Sequence, residues 1–341
     1  MKKITFTSIL VVAIIHVATS QNIITVDNSP ESNAQYSNLQ DAVTAAGAGD
    51  SIYVHPSVTT YGELSLTKPV TLIGYSHSDP EIRTVIDKIF LQDGASNVNI
   101  NGFRINSDLG TPPSNSSTIT NITIQNCQIS SLLYFAGPGV DNLLVQGNVI
   151  SSFGSTTEAY NNFSDAIIMN NVFTGHLSVK NHQSVTIKNN MHTNGRRIYN
   201  MDSENGQLKV QNSILVVNWR GSGSYSYNSS GVVFENCLSW NTYPSRGIGA
   251  LSGPNNIDNV NPEFVNGADT WNPALDYHLK IVSPAIGKGN DGKDLGIFNE
   301  GSFTFINNGY ANGIPTVKIT SLTPVVAAGG DLEVDITATS Y

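Results

Sequence analysis

The sequence predicts an all-β fold: a right-handed parallel β-helix (a solenoid) with an N-terminal capping helix and a C-terminal β-hairpin tail. Three observations carry that prediction. A short strand motif recurs roughly every 22 residues. Every copy ends on Asn or Gly, and the composition is poor in charge and rich in small polar residues.

The motif first appears as Val98-Asn99-Ile100-Asn101-Gly102 and next as Ile122-Thr123-Ile124-Gln125-Asn126. It returns as Leu143-Leu144-Val145-Gln146-Gly147, Ala166-Ile167-Ile168-Met169-Asn170 and Val185-Thr186-Ile187-Lys188-Asn189. Leu208-Lys209-Val210-Gln211-Asn212 and Val232-Val233-Phe234-Glu235-Asn236 complete the series. Successive copies are 24, 21, 23, 19, 23 and 24 residues apart. Apolar residues at every second position mark a strand with one buried face. Short strands at this period, joined by polar turns, are the signature of a stacked solenoid. Leucine-rich repeats share the period, but their Leu-rich consensus and return segment are missing. The terminal Asn or Gly tolerates the left-handed backbone that lets the chain bend sharply. Stacked side chains of Asn126, Asn170, Asn189, Asn212 and Asn236 are expected to hydrogen-bond between rungs, forming a structural ladder.

The start of the chain predicts export. Lys2 and Lys3 precede an apolar stretch, Ile9 to Val17, and Ala18-Thr19-Ser20 offers small residues for cleavage before Gln21. This is the pattern of a secretory signal peptide over 1–20, too short for a membrane anchor. The mature chain is expected to be secreted, periplasmic or at the cell surface, without a transmembrane segment and as a monomer. Only 13% of residues are charged and the net charge is −9, which argues against nucleic acid, whose phosphates need clustered Lys and Arg. The two cysteines, Cys127 and Cys237, fall about five rungs apart, a separation of roughly 20 Å that no disulfide bridges. Two free, buried thiols are expected.

Outside the repeats, Leu39, Ala42, Val43 and Ala46 share one helical face and predict a short amphipathic helix over the first rung. Such a cap would shield stacked strands from pairing with other chains. The segments Tyr36-Ser37-Asn38-Leu39-Gln40-Asp41-Ala42-Val43, Gly49-Asp50-Ser51-Ile52-Tyr53-Val54 and Pro69-Val70-Thr71-Leu72-Ile73-Gly74 resemble the opening of pectin-lyase-like β-helix proteins. Asn261-Pro262-Glu263-Phe264, Tyr277-His278-Leu279, Ser283-Pro284-Ala285-Ile286-Gly287 and Asp294-Leu295-Gly296 look like the closing segment of secreted bacterial members. The predicted organisation is a cap over 21–50, a β-helix over 51–260, a closing segment over 261–313 and a hairpin tail over 314–341. Strands at Thr316–Leu322 and Asp331–Thr339 would form that tail.

The resemblance implies architecture more than activity. Superfamily members include lyases, hydrolases, esterases and epimerases of polysaccharides. A hydrolase of the polygalacturonase kind would need paired Asp residues and a Gly-His-Gly element, and neither is present. The two Asp, Gln pair and Arg of a pectin methylesterase are not recognisable, and the carboxylates are too scattered for a Ca²⁺ site of the pectate-lyase kind. No metal-ligand motif, phosphate loop or Ser-His-Asp motif is apparent.

A positional argument leaves one cluster. The strand before each repeat should build a second sheet, whose outer face is the usual substrate groove of the resembled superfamily. Those strands fall near Glu158–Asn161, His176–Lys180, Arg196–Asn200 and Tyr225–Asn228. With Leu177, Val179 and Ile198 inward, His176, Ser178, Lys180, Arg197 and Tyr199 point out, with His182 and His192 in adjoining turns. Arg197 or Lys180 would neutralise a uronate carboxylate, and His176 or Tyr199 would serve as base or acid in β-elimination. Ordinary solvated charges on a polar face explain the same residues more simply.

Glu158 and Tyr160 join the candidate substrate-binding set. So do Trp219, Tyr225, Tyr227, Trp240 and Tyr243, which crowd into 25 residues around Gly221-Ser222-Gly223. Exposed rings stack on sugars, and buried rings fill a bulky rung. The expected partner is an extracellular polysaccharide, bound without catalysis; the alternative is a lyase or epimerase of uronate-containing glycans. No cofactor or metal is expected, with Ca²⁺ relevant only to a lyase.

Overall fold

The computed structural model describes residues 21–339, apart from 31, 156, 181–183, 196, 244, 300, 302, 312–314, 323–325, 327–328 and 330. The expected signal peptide, 1–20, therefore lies outside the described residues. The chain is an all-β parallel solenoid of about eight turns, with one α-helix among the described residues, Leu39–Ala45.

Each turn contributes strands to three sheets. The first sheet holds the repeat motif. Ile122 pairs in parallel with Leu143, Leu143 with Ala166, Ala166 with Val185, Ile187 with Val210, and Leu208 with Val232. The central apolar residue of each copy stacks on the next, so Ile100, Ile124, Val145, Ile168, Ile187, Val210 and Phe234 form one buried column. The second sheet follows the motif's turn and includes Arg104–Ile105, Val149–Ile150, Val172–Phe173, Met191–His192, Ile214–Val217 and Leu238–Asn241. The third runs through Glu63–Leu66, Lys88–Leu91, Leu109–Thr111, Leu133–Phe135, Phe153, Leu177–Val179 and Ile198–Asn200.

The turn residues have the backbone that the sequence demands. Asn126, Asn170, Asn189, Asn212 and Asn236 have φ between 49° and 57°, and Gly147 occupies the same position with φ 71°. Asn126 Nδ2 bonds across rungs to Asn101 Oδ1 (3.0 Å), but the five side chains do not bond to one another as the expected ladder would. That ladder is built one residue later. Cys127 N donates to Asn148 Oδ1 (2.9 Å), Asn148 N to Asn171 Oδ1 (3.0 Å) and Asn171 N to Asn190 Oδ1 (2.9 Å). Asn190 N donates to Ser213 Oγ (3.1 Å), and Cys237 N to Asn256 Oδ1 (2.9 Å). The left-handed residue turns its side chain out of the bend, which leaves the following residue facing inward, where only another rung can satisfy it. Both cysteines occupy this inner line. They are free and buried, as the rung count predicts, and burial pushes their thiols up to about 12.

The outward Asn side chains hold the closing segment instead. Asn236 Nδ2 donates to Lys288 O (2.9 Å), Asn212 Nδ2 to Asn290 Oδ1 (2.9 Å), and Asn170 Nδ2 to Ile297 O (2.9 Å). Phe303 then packs on Gly147, where an added Cβ would come within 2.3 Å of its ring, and Asn308 O accepts from Ser76 Oγ (2.5 Å). The chain thus returns along the turn line from a late rung to an early one, as a strap. Beneath it, Val149, Val172, Met191, Ile214, Val216 and Leu238 on the outer face of the second sheet pack against Phe264, Tyr277, Ala285, Leu295, Ile297 and Phe305. The second sheet is buried on both faces.

The helix is capped by Asn38, whose Oδ1 accepts from Asp41 N (3.1 Å). It buries Leu39, Ala42 and Val43 against the first strands. Thr316–Leu322 and Val334–Thr339 pair antiparallel in a separate two-stranded sheet. No helix among the described residues is long and apolar enough to cross a membrane.

Candidate functional site

With the second sheet covered, the third presents an uncovered row of side chains that combines rings with ionisable groups. Its register sorts the outward side chains into two neighbouring columns. In one column Ser65 pairs with Phe90, Phe90 with Gly110, and Gly110 with Tyr134; further along, Ser178 pairs with Tyr199. The other column contains Glu63 paired with Lys88, then Asp108, Leu132 paired with Ser152, His176 and Arg197. Rungs lie about 4.8 Å apart, so side chains three rungs apart span roughly 14 Å.

The early half of this face is charge-paired and aromatic. Lys88 Nζ lies 3.2 Å from Asp108 Oδ2 and 4.7 Å from the centroid of Phe90. Burial opposes ionisation of both partners. Hydrogen bonds from Ser131, Lys88 and Leu132 N outweigh it and hold Asp108 below the ordinary carboxylate range. Asp108 in turn raises Lys88. Tyr134 sits beside the pair but is itself buried, which raises its hydroxyl, and the Tyr160 ring covers it edge-on at 5.5 Å. Gly110 permits this arrangement: a Cβ there would come within 2.0 Å of Tyr134 O. Sequence reasoning missed Lys88, Phe90, Asp108 and Tyr134 because the strands of the third sheet carry no recurring residue mark of their own. The available signal was the pair of rings flanking Gly110 at repeat spacing.

The later half holds the predicted cluster. Leu177 pairs with Ile198 in the core, and the His176 and Tyr199 rings lie 5.4 Å apart. Arg197 is exposed, and Lys180 is half-buried just past the strand. Ser178 has the predicted outward register but is fully covered, so it offers nothing to a ligand. His192 is not in an adjoining turn. It is a buried strand residue stacked on Phe173 at 4.9 Å, and burial lowers it to about 3. His182 lies outside the described residues.

The expected strand at 158–161 begins as a 3-10 turn, Glu158–Tyr160, which lifts Tyr160 onto Tyr134. Among the described residues near 225–228, a single bridge forms, Tyr225 to Ile248.

The aromatic group does not make one platform. Tyr227 is completely buried and is corrected from ligand contact to core, because it packs edge-on against Tyr225 inside the last rungs. Trp219 and Tyr225 pack against the main core, and Trp240 against the layer over the second sheet. The Trp219 ring also folds onto its own loop, where Nε1 donates to Gly223 O (3.3 Å). Tyr243 lies under the Arg220 guanidinium at 5.4 Å.

Among the described residues, no group of three or more His, Cys, Asp or Glu side chains is placed to hold a metal ion. No family model matches the sequence, and no curated protein is significantly similar to it.

Proposed function

We propose that this chain is a secreted or surface solenoid that binds an extracellular polysaccharide along the outer face of its third sheet, without catalysis. The observation that carries the reading is the pairing of columns. Rings at Phe90 and Tyr199 run beside ionisable groups at Lys88, Asp108, His176 and Arg197. A sugar chain presents apolar C–H faces and polar rims in alternation, and such columns meet both. The finer architectural reading belongs here too: a right-handed, pectin-lyase-like solenoid with its helix as the N-terminal cap and its last two strands as a terminal hairpin. Export would follow cleavage near Ser20, and the mature protein would act as a monomer without a cofactor.

One contact favours a second reading, a lyase or epimerase of uronate glycans. His176 meets Tyr199, and Arg197 follows His176 in register, which would set a base beside a carboxylate-neutralising group. Lys180 would assist, and Ca²⁺ would enter only under this reading.

Incubation with alginate, pectate and glycosaminoglycans, with and without Ca²⁺, separates the two. Absorbance at the wavelength of unsaturated uronate products stays flat for a binding protein, while affinity electrophoresis shows retardation. A rise abolished by Arg197→Ala would replace the first reading with the second. Neither a rise nor retardation on any polymer would refute both.

A further inference from the structure

A second cleft lies away from the third sheet, in the layer that covers the second. It encloses about 290 Å³ and is lined by His278, Leu279, Asp294, Phe298, Phe303 and Phe305, among others. The His278 ring stacks on Phe298 at 3.8 Å and 24°, and Phe305 meets Phe298 edge-on at 5.5 Å. His278 Nδ1 lies 2.7 Å from Asp276 Oδ1. Burial would raise Asp276, but bonds from the His278 amide and ring outweigh it and keep the carboxyl below its ordinary value. Asp294 uses Oδ1 to accept from Gly287 N (2.8 Å) and is the carboxylate that lines the cleft. The nearby Lys280 is engaged with Glu263 at 3.4 Å.

Aromatic walls with a carboxylate, Asp294, at the rim attract one class of ligand above others. The faces of Phe rings are electronegative and favour a cation at van der Waals distance, and the carboxylate adds charge at short range. An anion meets repulsion there. A bare metal ion finds no set of three ligating side chains among the described residues. A strongly hydrated inorganic cation gains little from phenyl rings, whereas an alkylammonium group buries its methyl or methylene surface against them.

We propose that the cleft formed by Phe298, Phe303, Phe305, His278 and Asp294 binds a small organic cation of the alkylammonium class. The site is independent of the glycan-binding face and carries the opposite preference in charge. It would let the solenoid hold an amine-bearing small molecule while its third sheet engages a polysaccharide.

The test titrates the full mature protein with tetramethylammonium chloride at constant ionic strength, reading saturation-transfer NMR on the methyl signal. Glucose is the neutral control. Saturable binding is expected for tetramethylammonium and none for glucose. Asp294→Asn keeps an oxygen for Gly287 N, so it should weaken binding at least tenfold at an unchanged unfolding temperature. Phe298→Leu should do the same if it folds, and Asp294→Asn decides the matter if it does not. Absence of saturable binding, glucose binding as tightly, or an Asp294→Asn variant of undiminished affinity would each overturn the proposal.

Discussion

Replacing Asn171 with Leu tests the inner ladder at its centre. Asn171 is fully buried, and its Oδ1 accepts from both Asn148 N and Asn148 Nδ2 at 3.0 Å. Its Nδ2 donates to Val145 O at 2.9 Å and to Asn190 Oδ1 at 3.2 Å. Asn148 Nδ2 retains bonds to Ile124 O and Gln146 O, and Asn190 Oδ1 retains Asn171 N. The groups that lose these partners in the interior are the Asn148 amide and the Val145 carbonyl, at about 1–3 kcal/mol each. Burying a Leu of similar volume returns about 1.5–3 kcal/mol. A net loss of about 2 kcal/mol follows, read as a lower urea midpoint at unchanged slope. The neighbouring Asn189 is the control. Its Oδ1 has no hydrogen-bond partner and its φ is 57°, so Asn189→Gly should cost less than about 1 kcal/mol. If Asn189→Gly proves the more damaging substitution, the assignment of the ladder to the second residue of each turn is wrong.

Three further outcomes follow from the same geometry. His77 and His192 are buried and lowered to about 3, against an ordinary value near 6.5. The unfolded chain therefore binds more protons below pH 6.5, and stability should fall as pH drops from there towards 3. The slope approaches about 1.4 kcal/mol per pH unit for each histidine, and His192→Phe should flatten it in an acid-unfolding series. Phe303→Ala should loosen the strap from Gly147, speeding proteolysis within 290–311 while the repeat strands stay protected. Arg197→Ala should weaken retention by acidic polymers without moving the unfolding temperature, because the side chain is exposed; a large drop in that temperature would mean that it packs structurally.

The repeat made the first sheet legible because its signal is local: two apolar residues, a polar one between them and a turn residue. The same regularity misassigned the ladder. Asn170 and Asn171 differ in role only through the handedness of one backbone residue, and the sequence marks both with the same letter. The informative sign was the doublet itself, since Asn189-Asn190, Asn212-Ser213 and Asn236-Cys237 all follow a left-handed residue with a small inward one. The closing segment was recognisable as a terminus, but its path was not, because Asn236 to Lys288 and Asn170 to Ile297 are contacts across long stretches of irregular chain. On the third sheet, the inward residues Leu177, Val179 and Ile198 were correctly read from alternation. Ser178, outward in register yet covered, and Tyr227, packed in the core of the last rungs, escape the same alternation because burial by other parts of the chain leaves no trace in a two-residue period.

The most direct test of the polysaccharide-binding face is affinity electrophoresis of the mature protein through gels containing individual acidic and neutral polysaccharides, with a Phe90→Ala/Tyr199→Ala variant run alongside. The account predicts that at least one polymer retards the wild type and that the variant, folded to the same unfolding temperature, migrates freely. Equal retardation of both proteins would contradict the placement of the glycan on the third sheet.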